Sequence, residues 1–369
     1  MENQMLQDYL SDGVRDTVLG IARATLRHPG ASRFIAGFAR SRNQAEKTRA
    51  RFERQGQHIP PFLIASITSR CNLHCAGCYA RANHWCTDGG TPDELAPNHW
   101  ARLFSEAKDL GVSFILLAGG EPFLRRDVLE LAGRCPQILF PIFTNGTLLD
   151  DGTLGFLKNH RNLAPVVSIE GDAAFTDSRR GPGMYKKLMT TMDRLGTAGI
   201  LYGASITVTR ENRDAVTATP FLDALHRRGC KAIITVEYVP FCKSTAGLAP
   251  TPEDRRQLTA ILDQRRKDYP DMVFIDFPGD ERASGGCLAA GRGFFHINPA
   301  GNAEPCPFSP YSDTNLASHT LLDALESPLF KKLDTSGTLT QEHNGACVLF
   351  ESRETVARFA KDVSGETAL

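Results

Sequence analysis

The stretch that decides the fold is residues 66–80, SITSRCNLHCAGCYA, where an apolar run leads directly into a loop with three cysteines. The run over residues 62–68 is β-branched and predicts a buried strand. Cys71, Cys75 and Cys78 follow within eight residues. Thiolates bind soft metals, so the loop is a candidate metal site at the end of a strand.

The chain beyond this stretch alternates apolar runs with helical stretches. The runs cover residues 62–68, 114–117, 138–143, 166–169, 204–208 and 232–239, and the helices cover roughly 98–110, 125–134, 152–160, 185–198 and 218–228. Repeated strand–helix units predict a parallel sheet covered by helices. The pattern leaves open a curved partial barrel or an open doubly wound sheet. In either case, functional groups belong at the carboxyl ends of the strands.

Composition indicates an ordinary globular protein. Hydrophobic residues make up 41% of the 369 residues and charged residues 23%, and the formal net charge is zero. This balance gives no reason to expect a nucleic-acid partner. No apolar run approaches the ~18 residues of a membrane span, and the N-terminus MENQMLQDYLSDGV lacks a basic signal-peptide start. We therefore expect a cytoplasmic protein, in which ten cysteines favour metal or catalytic roles over disulfides.

The spacing of the first three cysteines separates two kinds of metal site. A structural zinc site takes four ligands, and His74 is the one fourth candidate inside the loop. An iron–sulfur cubane takes one protein ligand at each iron. Three thiolates would then leave one iron open for a small molecule.

The Cys-x3-Cys-x2-Cys loop, with the aromatic Tyr79 directly after it, resembles the defining motif of the radical S-adenosylmethionine (SAM) superfamily. The resemblance covers about residues 60–245. It implies a partial (βα)6 TIM-type barrel and a catalytic [4Fe–4S] cluster with SAM on its open iron. It also implies reductive cleavage of SAM to a 5′-deoxyadenosyl radical that abstracts hydrogen, and an electron donor such as a flavodoxin or ferredoxin.

The later strand ends carry residues similar to SAM contacts of this family. Gly119, Gly120, Glu121 and Pro122 match a motif that contacts the methionine amino group, and they would otherwise form a turn with a surface acid. The remaining residues that the resemblance assigns to SAM are Asn145, Ser168, Glu170, Thr207, Asn212 and the backbone at Val239. Relatives often have Asp in place of Glu170. Thr207 or Asn212 could equally cap a helix, and Asn145 could belong to a plain turn.

A second cysteine set lies in the C-terminal part. Cys287 is followed by thirteen residues, Gly301, four more residues and Cys306. This spacing resembles the opening of the SPASM/twitch extension, which holds auxiliary clusters, and Cys347 is a reasonable third ligand. The alternation over residues 294–298 and the turn signal at 299–302 predict a hairpin.

The dense cysteine run of a full SPASM module is missing from the sequence. We therefore expect a shortened, twitch-like extension with one auxiliary cluster. The alternatives are a zinc site completed by His343, or buried free thiols. Cys242 or an oxygen donor could supply a fourth ligand. Cys86, Cys135 and Cys230 have no partner spacing, so we expect them to pack rather than to bind metal.

The chain divides into an N-terminal helical arm (1–57), a core barrel (58–250) and a C-terminal extension (251–369). In the arm, Leu6, Leu10, Val14 and Val18 recur every four residues, and residues 1–56 hold ten Lys/Arg against six Asp/Glu. We expect the arm to pack on the outside of the core. The alternative is a basic amphipathic surface for a membrane or partner.

Three functions are compatible with these features. The first is a radical SAM enzyme that modifies a peptide or a small metabolite, and the second is the same chemistry on a lipid or membrane-associated substrate. The third, from another class, is a non-catalytic Fe–S electron carrier or a zinc-stapled binding protein. Glu237, Tyr238, Asp276 and Arg292 are candidates for the substrate pocket by position only.

Overall fold

The computed structural model describes residues 19–20, 29–83, 85–91, 93–241, 243–278, 285–342 and 347–364. The spaced apolar residues Leu6, Leu10, Val14 and Val18 lie outside the described residues, as do the alternative ligands Cys242 and His343.

The centre of the fold is one sheet of nine strands in the order β7-β6-β5-β4-β3-β2-β1-β8-β9. Its strands are β1 Phe62–Thr68, β2 Phe114–Gly119, β3 Phe140–Thr144, β4 Leu163–Ser168, β5 Gly203–Val208, β6 Ala232–Glu237, β7 Val273–Phe277, β8 His296–Ile297 and β9 Ala303–Glu304. Strands β1 to β7 and β8 pair in parallel, and β9 is antiparallel to β8. The sheet is mostly parallel and not closed, which confirms the α/β partial-barrel prediction.

Helices connect successive strands and cover the sheet. The helices described are α1 Pro29–Arg54, α2 Tyr79–Ala82, α3 Pro97–Leu110, α4 Arg126–Gly133, α5 Asp151–Asn159, α6 Ala173–Arg180, α7 Met184–Thr197, α8 Arg213–Thr217, α9 Thr219–Arg227, α10 Pro252–Asp268, α11 Leu321–Leu325, α12 Pro328–Thr335, α13 Val348–Glu351 and α14 Arg353–Ser364. Short 3₁₀ turns cover Pro122–Leu124, Lys243–Leu248 and Thr338–Thr340. None of the described helices is long and apolar enough to cross a membrane.

Two of the differences from the sequence prediction have a clear local cause. Strand β4 begins at Leu163 rather than at residue 166, although it contains Pro165. The proline is tolerated because pairing with β5 begins only at Val166, beyond the position where its missing N–H would be needed. Helix α6 was not predicted, and it begins where the side chain of Asp172 accepts from the amide of Phe175.

Helix α1 covers the amino-terminal end of the sheet. Ile35 and Phe38 pack with Leu139 and Ala164, which lie at the starts of β3 and β4. The ring of Phe38 also meets that of Phe114, the first residue of β2, with 5.6 Å between centroids. The described part of the arm therefore uses its apolar face to pack against the core, opposite the end where the cysteine loop leaves β1.

The C-terminal part adds a strand to each side of the parallel sheet. Strand β7 pairs with β6, and β8 pairs with β1. The predicted hairpin is confirmed, with His296 opposite Glu304 and Gly301 in the turn at φ 88°. The barrel thus includes residues from beyond position 250.

Candidate active site

The cysteine loop is rooted between the ends of β1 and β2. The amides of Gly120 and Glu121 donate to the carbonyls of Thr68 and Arg70, both at 2.8 Å. A Cβ atom on Gly120 would lie 1.9 Å from the carbonyl oxygen of Arg70. The glycine is therefore required for the close approach of β2 to the root of the loop.

The carboxylate of Glu121 is fully buried and bonds within the protein. It accepts from the hydroxyl of Thr144 at 2.8 Å, from the amide of Asn145 at 2.7 Å and from the amide of Phe123 at 3.2 Å. Burial raises the pKa of Glu121 to about 7, although these three donors oppose the shift. Its side chain connects the end of β2 to the end of β3. Because the carboxylate is bonded within the protein, a ligand at this strand end would meet the backbone of the neighbouring residues.

Asn145 connects the end of β3 to the loop. Its Nδ2 donates to Oδ1 of Asn72 at 2.8 Å and lies 4.0 Å from Sγ of Cys71. A hydrogen bond with the thiol of Cys86 is the main reason that the pKa of Cys71 falls to about 6, and burial opposes it. Cys86 is buried, as expected, and in addition it contacts the first thiol of the loop.

Cys75 faces a buried ion pair. Nη1 of Arg180 lies 3.9 Å from its Sγ, and the same guanidinium is bound by the carboxylate of Glu170. Burial raises the pKa of Cys75, and the charges of Arg180 and Arg179 oppose that rise. The carboxylate of Glu170, which the resemblance assigns to SAM, is bound to Arg180 in this structure.

The other strand-end residues take two kinds of position. Ser168 and Thr207 are partly exposed at the ends of β4 and β5. Asn212 is buried, and its Nδ2 donates to the carbonyls of Thr207 at 2.9 Å and Glu170 at 3.3 Å. It therefore ties β4 to β5, while the backbone at the buried Val239 follows the end of β6.

Aromatic rings join the cysteine loop to the C-terminal part. The ring of Tyr79 lies 5.9 Å from that of Trp85, 5.3 Å from that of Phe308 and 6.5 Å from that of Phe241. Phe308 is two residues after Cys306. The ring contact between Tyr79 and Phe308 thus lies between the segment that carries the first three cysteines and the segment that carries Cys306.

The second cysteine group is brought together by the fold. The thiols of Cys306 and Cys347 share a hydrogen bond, which is the main reason that the pKa of Cys347 is lowered. Burial, this bond and the nearby charge of Cys287 all raise the pKa of Cys306. Cys347 precedes α13, whose amides at Leu349 and Phe350 also lower its pKa.

The arrangement of the two thiol groups distinguishes a site for a single metal ion from a site for an iron–sulfur cluster. Among the described residues, no three Cys, His, Asp or Glu side chains surround one point as a single ion requires. A cubane instead receives each thiolate at a separate iron, and nearby N–H and O–H donors interact with its sulfurs. Ser309, which follows Cys306 closely, has a buried hydroxyl with no partner among the described residues. Three thiols and such donors fit an iron–sulfur group.

Several residues at this end were not identified from the sequence. Asn72 lies in the cysteine loop and bonds to Asn145, Arg180 contacts Cys75, and Phe308 contacts Tyr79 directly after the loop. Their roles depend on contacts across 73, 105 and 229 positions, and the pair Arg179-Arg180 after an Asp172-capped stretch was the one local signal. Two positional candidates have partners within the protein, since Glu237 pairs with Arg255 of α10 and Asp276 accepts from Thr235 at 2.6 Å. Tyr238 packs against the loop, because a Cβ atom added to Gly77 would lie 2.8 Å from the hydroxyl oxygen of Tyr238. Arg292 donates to the carbonyl of Cys287 at 2.7 Å.

The fold and the thiol loop define an α/β protein with an open, mostly parallel sheet and a candidate metal-binding loop at the carboxyl end of its first strand. Residues 65–219 match the profile of the Radical SAM superfamily. The AdoMet-dependent heme synthase of Methanosarcina barkeri is 26% identical over 80% of this chain and 90% of its own length. The PqqA peptide cyclase of Rhizobium meliloti is 26% identical over 67% of this chain and 68% of its own length.

Among solved structures, Streptococcus suis SuiB bound to S-adenosylmethionine is similar with a TM-score of 0.65 at 17% identity, covering 79% of this chain and 72% of that one. Residues 65–219 therefore form a radical SAM domain, and the protein is an enzyme. Enzymes of this family use a [4Fe–4S] cluster and SAM.

Proposed function

We propose that this enzyme cleaves SAM reductively at a [4Fe–4S] cluster held by Cys71, Cys75 and Cys78, and that it modifies a peptide or a small metabolite by hydrogen abstraction. The observation that carries the proposal is the position of the three-thiol loop at the carboxyl end of β1. The residues just before the loop, Thr68 and Arg70, accept hydrogen bonds from the amides of Gly120 and Glu121 at the end of β2. When bound, the cluster supplies the electron that cleaves SAM to a 5′-deoxyadenosyl radical.

The chain's own residues would orient SAM and exclude water. Glycines at 119 and 120 leave backbone groups near the loop for the methionine amino group. The partly exposed hydroxyls of Ser168 and Thr207 offer hydrogen bonds to its other polar groups, and the backbone at Val239 lies at the strand end assigned to adenine. The ring of Tyr79 covers the side of the loop that faces the extension. Glu121, Glu170 and Asn212 act one step away, because they hold the strand ends in register.

Anaerobic reconstitution with iron and sulfide, followed by reduction with SAM present, tests this proposal. The parent should produce 5′-deoxyadenosine, and Cys71→Ala should not. Cys135→Ala, which removes a thiol outside both groups, should behave like the parent. Dithionite serves as the chemical reductant in this assay, and a reduced flavodoxin or ferredoxin should support the same reaction. A parent that forms no 5′-deoxyadenosine, or a Cys71→Ala variant that equals it, would refute the radical reaction.

The substrate class is supported by the names of the relatives and by the packing of α1. One relative is a cyclase of the PqqA peptide and another is a heme synthase. A lipid substrate would need an exposed apolar arm, whereas Ile35 and Phe38 are buried against the sheet. Co-sedimentation of the full chain with liposomes should therefore leave the enzyme in the supernatant. Sedimentation that is lost on truncating residues 1–56 would favour the lipid alternative.

We further propose that Cys287, Cys306 and Cys347 hold one auxiliary cluster in a shortened, twitch-like extension. The support is the thiol contact between Cys306 and Cys347 and the proximity of Cys287. The double variant Cys287→Ala/Cys306→Ala should lose about one cluster's iron after reconstitution and keep the signal of the other cluster. Cys230→Ala, at a buried cysteine away from both groups, is the matched control. Unchanged iron in the double variant would contradict an auxiliary cluster.

A further inference from the structure

The thiol of Cys75 lies against the end of helix α6. Nη1 of Arg180, the last residue of this helix, is 3.9 Å from its Sγ. The amide of Ala76 donates to the carbonyl of Arg179 at 2.8 Å. The end of α6 is thus tied to the loop by a backbone bond next to Cys75 and by a side chain at its sulfur.

Glu170 fixes the orientation of this arginine. Nε and Nη2 of Arg180 donate to the two carboxylate oxygens at 2.5 and 2.6 Å, which is a two-pronged arrangement. The side chain of Glu170 is 3% exposed and that of Arg180 is 9% exposed. The amide of Glu170 donates to the hydroxyl of Thr176, and Nδ2 of Asn212 donates to the carbonyl of Glu170, so the backbone that carries this carboxylate is held in place. Nη1 is therefore directed at Cys75 by a rigid, buried partner.

The charges at this point do not cancel. Nε of Arg179 lies 3.6 Å from the same carboxylate, so two guanidinium groups share one negative charge. The excess positive charge is next to a thiolate in a region of low dielectric, where water screens it little. Net charge and hydrogen bonds to the sulfurs are among the factors that set the reduction potential of an iron–sulfur cluster.

We propose that Arg180, oriented by Glu170, is a positioning residue that stabilises the reduced form of the catalytic cluster through the Cys75 sulfur. This inference rests on the cluster proposed at Cys71, Cys75 and Cys78. Reduction adds one electron from the external donor, breaks no bond and moves no proton. The added negative charge interacts favourably with the guanidinium, so the positive charge of Arg180 makes SAM cleavage accessible at a less negative potential.

An EPR-monitored redox titration of the reconstituted full chain, without SAM, tests the proposal. Arg180→Gln should shift the potential of the catalytic cluster to more negative values because it removes the positive charge. Glu170→Gln should shift it to less negative values because the guanidinium then loses its compensating anion. Arg180→Lys, which keeps the charge without the two-pronged geometry, should fall between the parent and Arg180→Gln.

The matched control is Arg194→Gln. Arg194 is also ion-paired, to Asp151 at 2.6 Å, but it bonds to the carbonyl of Leu149 rather than to a thiol. Its replacement should leave the potential unchanged. Opposite shifts for Arg180→Gln and Glu170→Gln cannot come from a general loosening of the fold, which would move both in the same direction.

The outcomes separate this inference from the function on which it rests. Shifts of the same sign, or no shift in either variant while the parent shows a reducible cluster, would overturn the role of Arg180. A parent without a reducible cluster would overturn the proposed function instead. If Arg180→Gln binds no iron, Glu170→Gln and Arg180→Lys decide the question, since both retain a cation at residue 180.

Discussion

At the residue scale, the root of the cysteine loop depends on the absence of a side chain at Gly120. Its neighbour Gly119 has φ at 123°, and a Cβ atom on Gly120 would lie 1.9 Å from the carbonyl oxygen of Arg70. The carbonyl of Arg70 cannot move away from such a Cβ atom without displacing the residue that precedes Cys71. The position of the first thiol is therefore coupled to the end of β2.

Gly120→Ala should impair cluster binding more than folding. The overpacking is expected to cost about 1–3 kcal/mol and to displace the loop, so the reconstituted variant should lose most of the iron of one cluster. Iron and sulfide analysis measures this. Gly37→Ala in α1 is the control, because nothing lies within 4 Å of its added Cβ. Full iron content in Gly120→Ala would show that the loop does not need this close approach.

Glu121 should make stability depend on pH. Burial raises its pKa in the folded protein to about 7, whereas an unfolded glutamate titrates near ~4.3. A raised pKa means that the folded state holds the proton more tightly. Its contribution is fully present below the unfolded pKa and declines as the pH rises to about 7.

Urea unfolding of the apo-protein measures this contribution against Glu121→Gln, which cannot titrate. The stability of the parent relative to the variant should fall between about pH 4 and pH 7, by at most ~4 kcal/mol for a shift of this size. Groups common to both proteins cancel in the difference. A difference that is constant with pH, or that grows as the pH rises, would contradict the raised pKa.

At the element scale, helix α1 closes the end of the sheet opposite the cysteine loop. Phe38 is 1% exposed and packs against Phe34 and Phe114. The helix connects to the sheet through such apolar contacts and through Arg49, whose Nη1 donates to the carbonyl of Gly111 at 2.5 Å. Helix α1 is therefore packed onto the folded core.

Phe38→Ala should lower the free energy of unfolding by about 3–5 kcal/mol, the usual cost of removing a buried phenyl ring. Urea or thermal denaturation of the apo-protein measures it. Arg40→Ala, at an exposed position of the same helix, should change stability by less than about 0.5 kcal/mol. Equal stability of Phe38→Ala and the parent would mean that α1 contributes little to the core.

At the scale of the whole molecule, a buried hydrogen-bonded chain joins the C-terminal part to the first strand. His296 on β8 bonds to the hydroxyl of Ser66 at 2.8 Å and to the carboxylate of Glu304 at 2.7 Å. All three side chains are buried. This chain holds the β8–β9 hairpin against β1, and residues 303–306 lead from the hairpin to Cys306.

His296→Ala should destabilise the protein by about 3 kcal/mol or more, because it leaves the buried carboxylate of Glu304 without this partner. It should also speed limited proteolysis within residues 285–342, since the hairpin loses its side-chain connection to β1. Thermal denaturation and a timed protease digest measure the two effects. His319→Ala, at an exposed histidine, should match the parent. A stable His296→Ala variant with unchanged digestion would contradict this connection.

The strand–helix alternation, the thiol loop at the end of β1 and the hairpin after Cys287 could all be predicted from the sequence. These features depend on spacings of a few residues, and short-range geometry restricts what such spacings can form. Only the tertiary structure decided which partners the buried polar groups take. Glu121 bonds to Asn145 across 24 positions and Glu170 to Arg180 across 10 positions. Cys306 bonds to Cys347 across 41 positions. A buried charge or thiol must find its partner among the groups that packing brings to it, and the sequence pattern around each residue does not specify those groups.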